Sequence, residues 1–157
     1  MTKEQKQDFT RRITQANRSG LVLIKFEMLF VYLDDVCTAF EKDDQQSMTN
    51  SIHYADAILK SFQETLDFSH EIAGRLYALY DFHRRQLAKA LMRHSLKELE
   101  QSRKMLQQLY EAFAESAKQD TSKPLMQNAQ QVYAGYTYGK NDLNESYDIQ
   151  ASRGFLA

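Results

Sequence analysis

Apolar residues recur along the chain with a helical period, and one stretch departs from the usual single-faced pattern. Between Gly20 and Glu41, Val22, Phe26, Leu29, Phe30, Leu33, Val36, Cys37 and Phe40 fall on one stripe of a helical wheel. Leu21, Ile24, Met28, Val31 and Tyr32 form a second stripe roughly opposite the first. One stripe is enough for a core seam. A helix apolar on two faces needs both of them covered.

The flanking stretches are simpler. Lys3 to Gln15 is polar apart from Phe9 and Ile13, four residues apart. It predicts a short amphipathic helix too small to stand alone, which must dock on something. Asn17 to Gly20 is a break, with Ser19 as the expected cap of the long helix. A turn with a capping-box-like Asp43 and Gln46 leads into a second long helix, to about Leu66. Met48, Ile52, Ala55, Leu59, Phe62 and Leu66 form its stripe, with Tyr54 and Ile58 on its flank. A third, about Ser69 to Arg93, turns Ile72, Leu76, Leu79, Tyr80, His83, Leu87 and Leu91 inward. Ser95 and Glu98 read as a capping box that opens a fourth, burying Leu96, Leu99, Leu106, Leu109, Tyr110 and Phe113.

Long helices joined by short turns run antiparallel to their neighbours. The expected class is therefore all-α: an antiparallel up-down four-helix bundle with a short N-terminal helix and a mostly irregular C-terminal tail. Residues 1–117 form the bundle. Residues 118–157 form the tail, either packed on the bundle or disordered. In it, Pro124 is the only proline, Leu125 to Val132 could add one or two helical turns, and Tyr133, Tyr136 and Tyr138 could anchor on a surface.

Composition narrows the function. A chain of 157 residues with a formal charge of -1 suits one domain and carries no nucleic-acid footprint. The single cysteine, Cys37, excludes an internal disulfide and reads as a buried structural thiol. The opening residues lack the apolar core of a signal peptide. The apolar cluster Leu21 to Leu33 is interrupted by Lys25 and Glu27 and is too short for membrane insertion. A cytoplasmic protein is expected. The paired Glu-x-x-His signature of di-metal bundles is absent, as are Gly-rich phosphate loops and nucleophile elbows. No catalytic residue, metal ligand or cofactor is expected, and His83 reads as a hydrogen-bonded core histidine. What stands out is surplus apolar surface, which points to a protein partner. On the outer side of the third long helix, Gly74 and Ala78 lie four apart between Tyr77 and Phe82. They would either let another backbone approach closely or reflect a glycine tolerated at about 1 kcal/mol.

Several stretches together resemble the FliS family of bacterial flagellar export chaperones. Ala16-Asn17-Arg18-Ser19-Gly20-Leu21-Val22-Leu23 is similar to the family's Ala-Ser-Pro-Gly-Glu-Leu-Val-Leu at the start of the first long helix. Leu79-Tyr80-Asp81-Phe82-His83-Arg84-Arg85-Gln86-Leu87 is similar to its Leu-Tyr-Asp-Tyr/Phe-x-x-Arg-x-Leu segment. The tail Val132 to Lys140, with Arg153-Gly154-Phe155, resembles that of some clostridial members. Two places differ. Met1 to Gln15 has no tyrosine where members often carry a Tyr-x-x-x-Tyr-like start, and Lys25-Phe26-Glu27-Met28 stands where many have Leu-Tyr-Asp-Gly.

The resemblance implies a chaperone that holds the disordered C-terminal segment of flagellin and keeps it competent for type III export, with the export gate as a further partner. It also implies that the N-terminal segment, through Phe9 and Ile13, occupies part of the client groove until displaced. Leu21, Ile24, Met28, Val31, Tyr32, Tyr54, Ile58, Gly74, Tyr77, Ala78 and Phe82 are the expected client contacts. The alternatives are a self-associating bundle, with the second stripe as the interface of a weak homodimer, and an export adaptor for a client other than flagellin.

Overall fold

The computed structural model describes residues 1–126. Among them the regular structure is helical: α1 (Lys3–Gln15), α2 (Arg18–Glu41), α3 (Gln45–Glu64), α4 (Glu71–Arg93) and α5 (Lys97–Ala117). Helices α2 to α5 close into a ring in which each packs on its two neighbours, and α1 packs on α2. This is the expected four-helix bundle with a short N-terminal helix. Leu125 and Met126 are exposed and outside any helix, while Tyr133, Tyr136 and Tyr138 lie outside the described residues.

Side-chain caps set the helix starts. At α1, Thr2 accepts from the Gln5 N–H while the Gln5 side chain accepts from the Thr2 N–H, a complete capping box. Asn17, not Ser19, caps α2, its Oδ1 accepting from the Gly20 N–H at 2.8 Å. Ser19 lies inside the helix, so its hydroxyl is free to bond elsewhere. Asp44 rather than Asp43 caps α3, taking the Ser47 N–H at 2.9 Å and the Ser47 hydroxyl at 2.6 Å. Asp43 is needed for the preceding stop. It adopts φ 54°, and the Asp44 N–H reaches the Ala39 carbonyl while the Asp43 N–H reaches that of Phe40. This is the Schellman pattern, with an aspartate in the left-handed position. His94 ends α4 in the same region at φ 46°. The capping box expected at Ser95 does not form. Its hydroxyl instead meets the Glu98 carboxylate and the Lys97 N–H, and Leu96 occupies the cap position.

The core is centred on Phe26, which is fully buried. Its ring lies 4.6 Å from Phe62 of α3, and 5.7 and 6.1 Å from Phe113 and Tyr110 of α5. Phe62 stacks in turn on Tyr80 of α4 at 5.2 Å. One aromatic chain thus touches all four bundle helices. Leu29, Leu33 and Val36 continue the seam along α2, facing Met48, Ile52, Ala55 and Leu59 of α3. Cys37 is only half-buried at the edge of this seam, where burial pushes its thiol pKa up. The inward face of α4 runs through Ala73, Tyr80, His83, Leu87 and Ala90. Ile72, expected inward, is 60% exposed because Ala73 holds the position in phase with Tyr80 one heptad later.

His83 is a core histidine. Its Nδ1 lies 2.6 Å from the Ser102 hydroxyl, and its Nε2 has no hydrogen-bond partner among the described residues. A buried imidazolium there would lack a counter-charge, and burial lowers its pKa to about 4.

Two measurements follow from the core. Phe26→Ala should destabilise the bundle by about 3–5 kcal/mol in chemical denaturation, because a ring packed from α2 against both α3 and α5 leaves a cavity neither can fill alone. His83 carries a folded pKa below its ordinary value of 6.5. The unfolded state therefore binds the extra proton, and stability falls as the pH drops from 6.5 toward 4. Denaturation curves across that range should lose up to about 3 kcal/mol through this residue, and His83→Gln should flatten the slope relative to the parent.

Candidate functional site

The second stripe of α2 is where the molecule departs from a plain bundle. α1 folds back antiparallel along it. Phe9 and Ala16 join Ile24 in a small buried cluster of their own, with Met1, Ile13, Leu21, Met28 and Val31 packed around it. This cluster is separate from the main core. Polar contacts fix its ends. The N-terminal ammonium pairs with the Asp35 carboxylate. Arg12 pairs with Glu27 at 2.5 Å and lies over the Phe9 ring at 5.6 Å. Glu27 also accepts from the Tyr110 hydroxyl at 3.3 Å, so one carboxylate of α2 serves both α1 and α5. These pairs are partly solvated, and such pairs contribute about 0–1 kcal/mol each.

α1 does not cover the whole stripe. Beside it, between α2 and α3, runs an apolar groove of about 340 Å³. Ile13 forms its α1 edge. Leu21, Ile24, Met28 and Tyr32 line it from α2, and Tyr54, Ala57, Ile58 and Ser61 from α3. At one end the Tyr32 and Tyr54 rings stack at 5.0 Å, although Tyr54 remains 56% exposed. Burial, helped by Tyr54 and Asp35, pushes the Tyr32 hydroxyl pKa up. Lys25 also lines the groove and holds its ammonium 5.5 Å over the Phe62 ring, where burial lowers its pKa. A long alkyl stem can thus extend the apolar wall while its charge stays near the rim.

The structure therefore gathers six of the expected contacts, Leu21, Ile24, Met28, Tyr32, Tyr54 and Ile58, around one groove. Val31 lies under α1 instead. Gly74, Tyr77, Ala78 and Phe82 stand on α4 and do not line this groove. A Cβ added at Gly74 would meet nothing within 4 Å, so that stretch is open surface. Nearby, Phe68 is 64% exposed and its ring lies 6.0 Å from Tyr77. Phe68 and Ile72 enlarge the apolar surface at the start of α4. Phe68 lies in the connection between α3 and α4, whose surface the helical periodicity does not mark, and Ile72 was expected in the core. Ala57 and Ser61 were also missed, but they lie three and seven residues beyond Tyr54, on the face it marks.

Three other features bear on the site. Among the described residues, no group of three or more His, Cys, Asp or Glu side chains could hold a metal ion. No helix there is long and apolar enough to cross a membrane. The residues after α5 return to the α1–α2 junction, where the Ser19 hydroxyl donates to the Asp120 carboxylate and the Leu125 N–H donates to the Ala16 carbonyl. Hydrogen bonds from Ser122 and Ser19 hold the Asp120 carboxyl far below the usual carboxylate range.

A comparison with curated proteins finds no match. The family model of the flagellar protein FliS matches residues 1–120, a span that contains all five helices. A bundle whose central helix carries a second apolar face, matched over most of its length, thus belongs to the FliS family of flagellar export chaperones of flagellin.

Proposed function

We propose that this chain holds the C-terminal segment of flagellin in the cytoplasm, keeps it from polymerising early and presents it to the flagellar type III export gate. The observation that carries this reading is the apolar groove between α2 and α3, bordered by a helix that is only lightly attached. An unfolded segment with apolar residues at helical spacing could lay them between Met28, Tyr32, Tyr54 and Ile58 and fold as it docks. Such coupled folding buries a large area but loses part of the gain in ordering the client. The exposed residues of α4, Tyr77 and Ala78 with open Gly74 between aromatic neighbours, would take a second stretch of the same segment.

α1 is the natural competitor for this site. It has only 13 residues, and few of its side chains reach the second stripe. A helix of that length is marginal without tertiary contacts. When it lifts, Leu21, Ile24, Met28 and Val31 become available as one continuous strip. Client affinity is then reduced by the fraction of time α1 stays docked. A dimer built on the same stripe would have to displace α1 in the same way.

Two variants pull this mechanism in opposite directions. Tyr54→Ala removes a half-exposed groove wall and should weaken binding of a flagellin C-terminal peptide by about tenfold in calorimetry, with thermal unfolding of the bundle little changed. Phe9→Ala removes the main anchor of the competing helix and should tighten binding of the same peptide by about threefold or more. Unchanged affinity in the first variant would remove the groove from the binding site. Weaker binding in the second would make α1 part of the client site rather than its competitor.

A further inference from the structure

Residues about a hundred positions apart meet at the elbow between α1 and α2. Asn17 does two jobs there. Its Oδ1 caps α2 by accepting from the Gly20 N–H at 2.8 Å, while its Nδ2 donates to the carbonyls of Asp120 and Ser122, each at 3.3 Å. The Ser19 hydroxyl donates to Asp120 Oδ2 at 2.5 Å, and the Leu125 N–H donates to the Ala16 carbonyl at 3.0 Å. Asp120 is itself fixed, its N–H bonded to the Ala117 carbonyl and its Oδ1 accepting from the Ser122 N–H at 2.9 Å. Ser122 and Pro124 face Arg12 and Gln15 of the last turn of α1 across a recess of about 450 Å³. Ser122 and Leu125 lie beyond residue 120, where the family match ends.

We propose that Asp120 to Leu125 is a clasp that closes the elbow between α1 and α2 and sets how readily α1 lifts from α2. Its consequence for the groove rests on the reading above that α1 and the client share that face. The elbow consists of Ala16 and Asn17, both extended, with ψ 142° and -176°. If α1 swings away from α2 as an intact helix, torsions in this short link must turn. The Leu125 bond holds the Ala16 carbonyl and the Asn17 bonds hold the Asn17 side chain, so turning of the peptide between them is restrained while the clasp is closed. Only torsions upstream of the Ala16 carbonyl remain unrestrained. Hydrogen bonds of this kind each contribute a modest net amount. The α1 seam is small and partly solvated, so a few such bonds make up a large share of what holds the helix down.

The test uses the full chain with Ser19→Ala, Asp120→Ala and Leu125→Pro combined. Asn17 is left alone because it also caps α2, and the proline removes a single donor N–H. Hydrogen exchange read by mass spectrometry should show the α1 amides exchanging about tenfold faster, with α3 and α4 unchanged. Unchanged exchange in α1 would overturn the clasp. Equal acceleration in every helix would also overturn it, since the stretch would then be a general stabiliser. Titration with a flagellin C-terminal peptide reads the other half. Tighter binding alongside faster α1 exchange supports both the clasp and the shared face. Faster α1 exchange with unchanged affinity leaves the clasp standing and removes the shared face.

Discussion

Everything in this molecule depends on α2 being apolar around most of its circumference and therefore needing cover on two sides. A helix of an ordinary bundle hides one stripe and gives the rest to water. Here the Phe26, Leu29, Leu33 and Val36 side is closed by α3 and α5, and the Ile24, Met28 and Val31 side is left for something else. The chain supplies part of that cover itself by folding α1 back, and leaves the Tyr32–Tyr54 end of the groove half-open. A chaperone needs such a surface: apolar enough to hold an unfolded client, yet not left bare when the client is absent.

The two covers differ in kind. On the core side, aromatic rings from all four bundle helices meet in contact distances of 4.6–6.4 Å. Removing any one strands the others, so that side opens only when the bundle unfolds. On the α1 side the buried apolar residues are Phe9, Ala16 and Ile24, helped by ion pairs that water and salt weaken. Proteins open in units whose free energies range from near zero to that of global unfolding. The small α1 seam is expected toward the low end of that range and the α2 to α5 core toward the high end. Under the proposed mechanism, that difference would let one face of α2 be exchanged without loss of the fold.

Much of this was legible in the sequence where a pattern repeats. The two stripes of α2 follow from phase alone, and α1 was readable as a weak helix because thirteen residues offered only Phe9 and Ile13. The errors fell where several residues compete for one job. Asn17 and Ser19 can both cap a helix, as can Asp43 and Asp44, and the choice depends on where the previous segment turns. Asp43 was drawn into the stop signal of α2, which no window around α3 reveals. Ile72 was misread because a larger apolar side chain outweighs its neighbour Ala73 in any pattern, although the smaller residue fits between packed helices. The clasp was invisible for another reason. It joins Asn17 and Ser19 to Asp120 and Ser122 through polar side chains a hundred residues apart, and such pairings leave no periodic trace.

Glu27 shows how the two covers of α2 are joined without being fused. Its carboxylate takes Arg12 from α1 on one side and the Tyr110 hydroxyl from α5 on the other. Tyr110 in turn sets its ring edge-on to Phe26 and Phe30. Were α1 to lift as proposed, Glu27 would keep the Tyr110 bond and gain water in place of Arg12, so no buried charge would be stranded and the core rings would keep their partners. Had the Arg12 partner been sealed in the core, lifting α1 would have left an unpaired buried carboxylate, at a cost of several kcal/mol. A partly exposed carboxylate at the boundary holds α1 in register when docked and, in the proposed mechanism, would let it go without disturbing the bundle. A cover that gives way to a client helix, as proposed for α1, would need both properties.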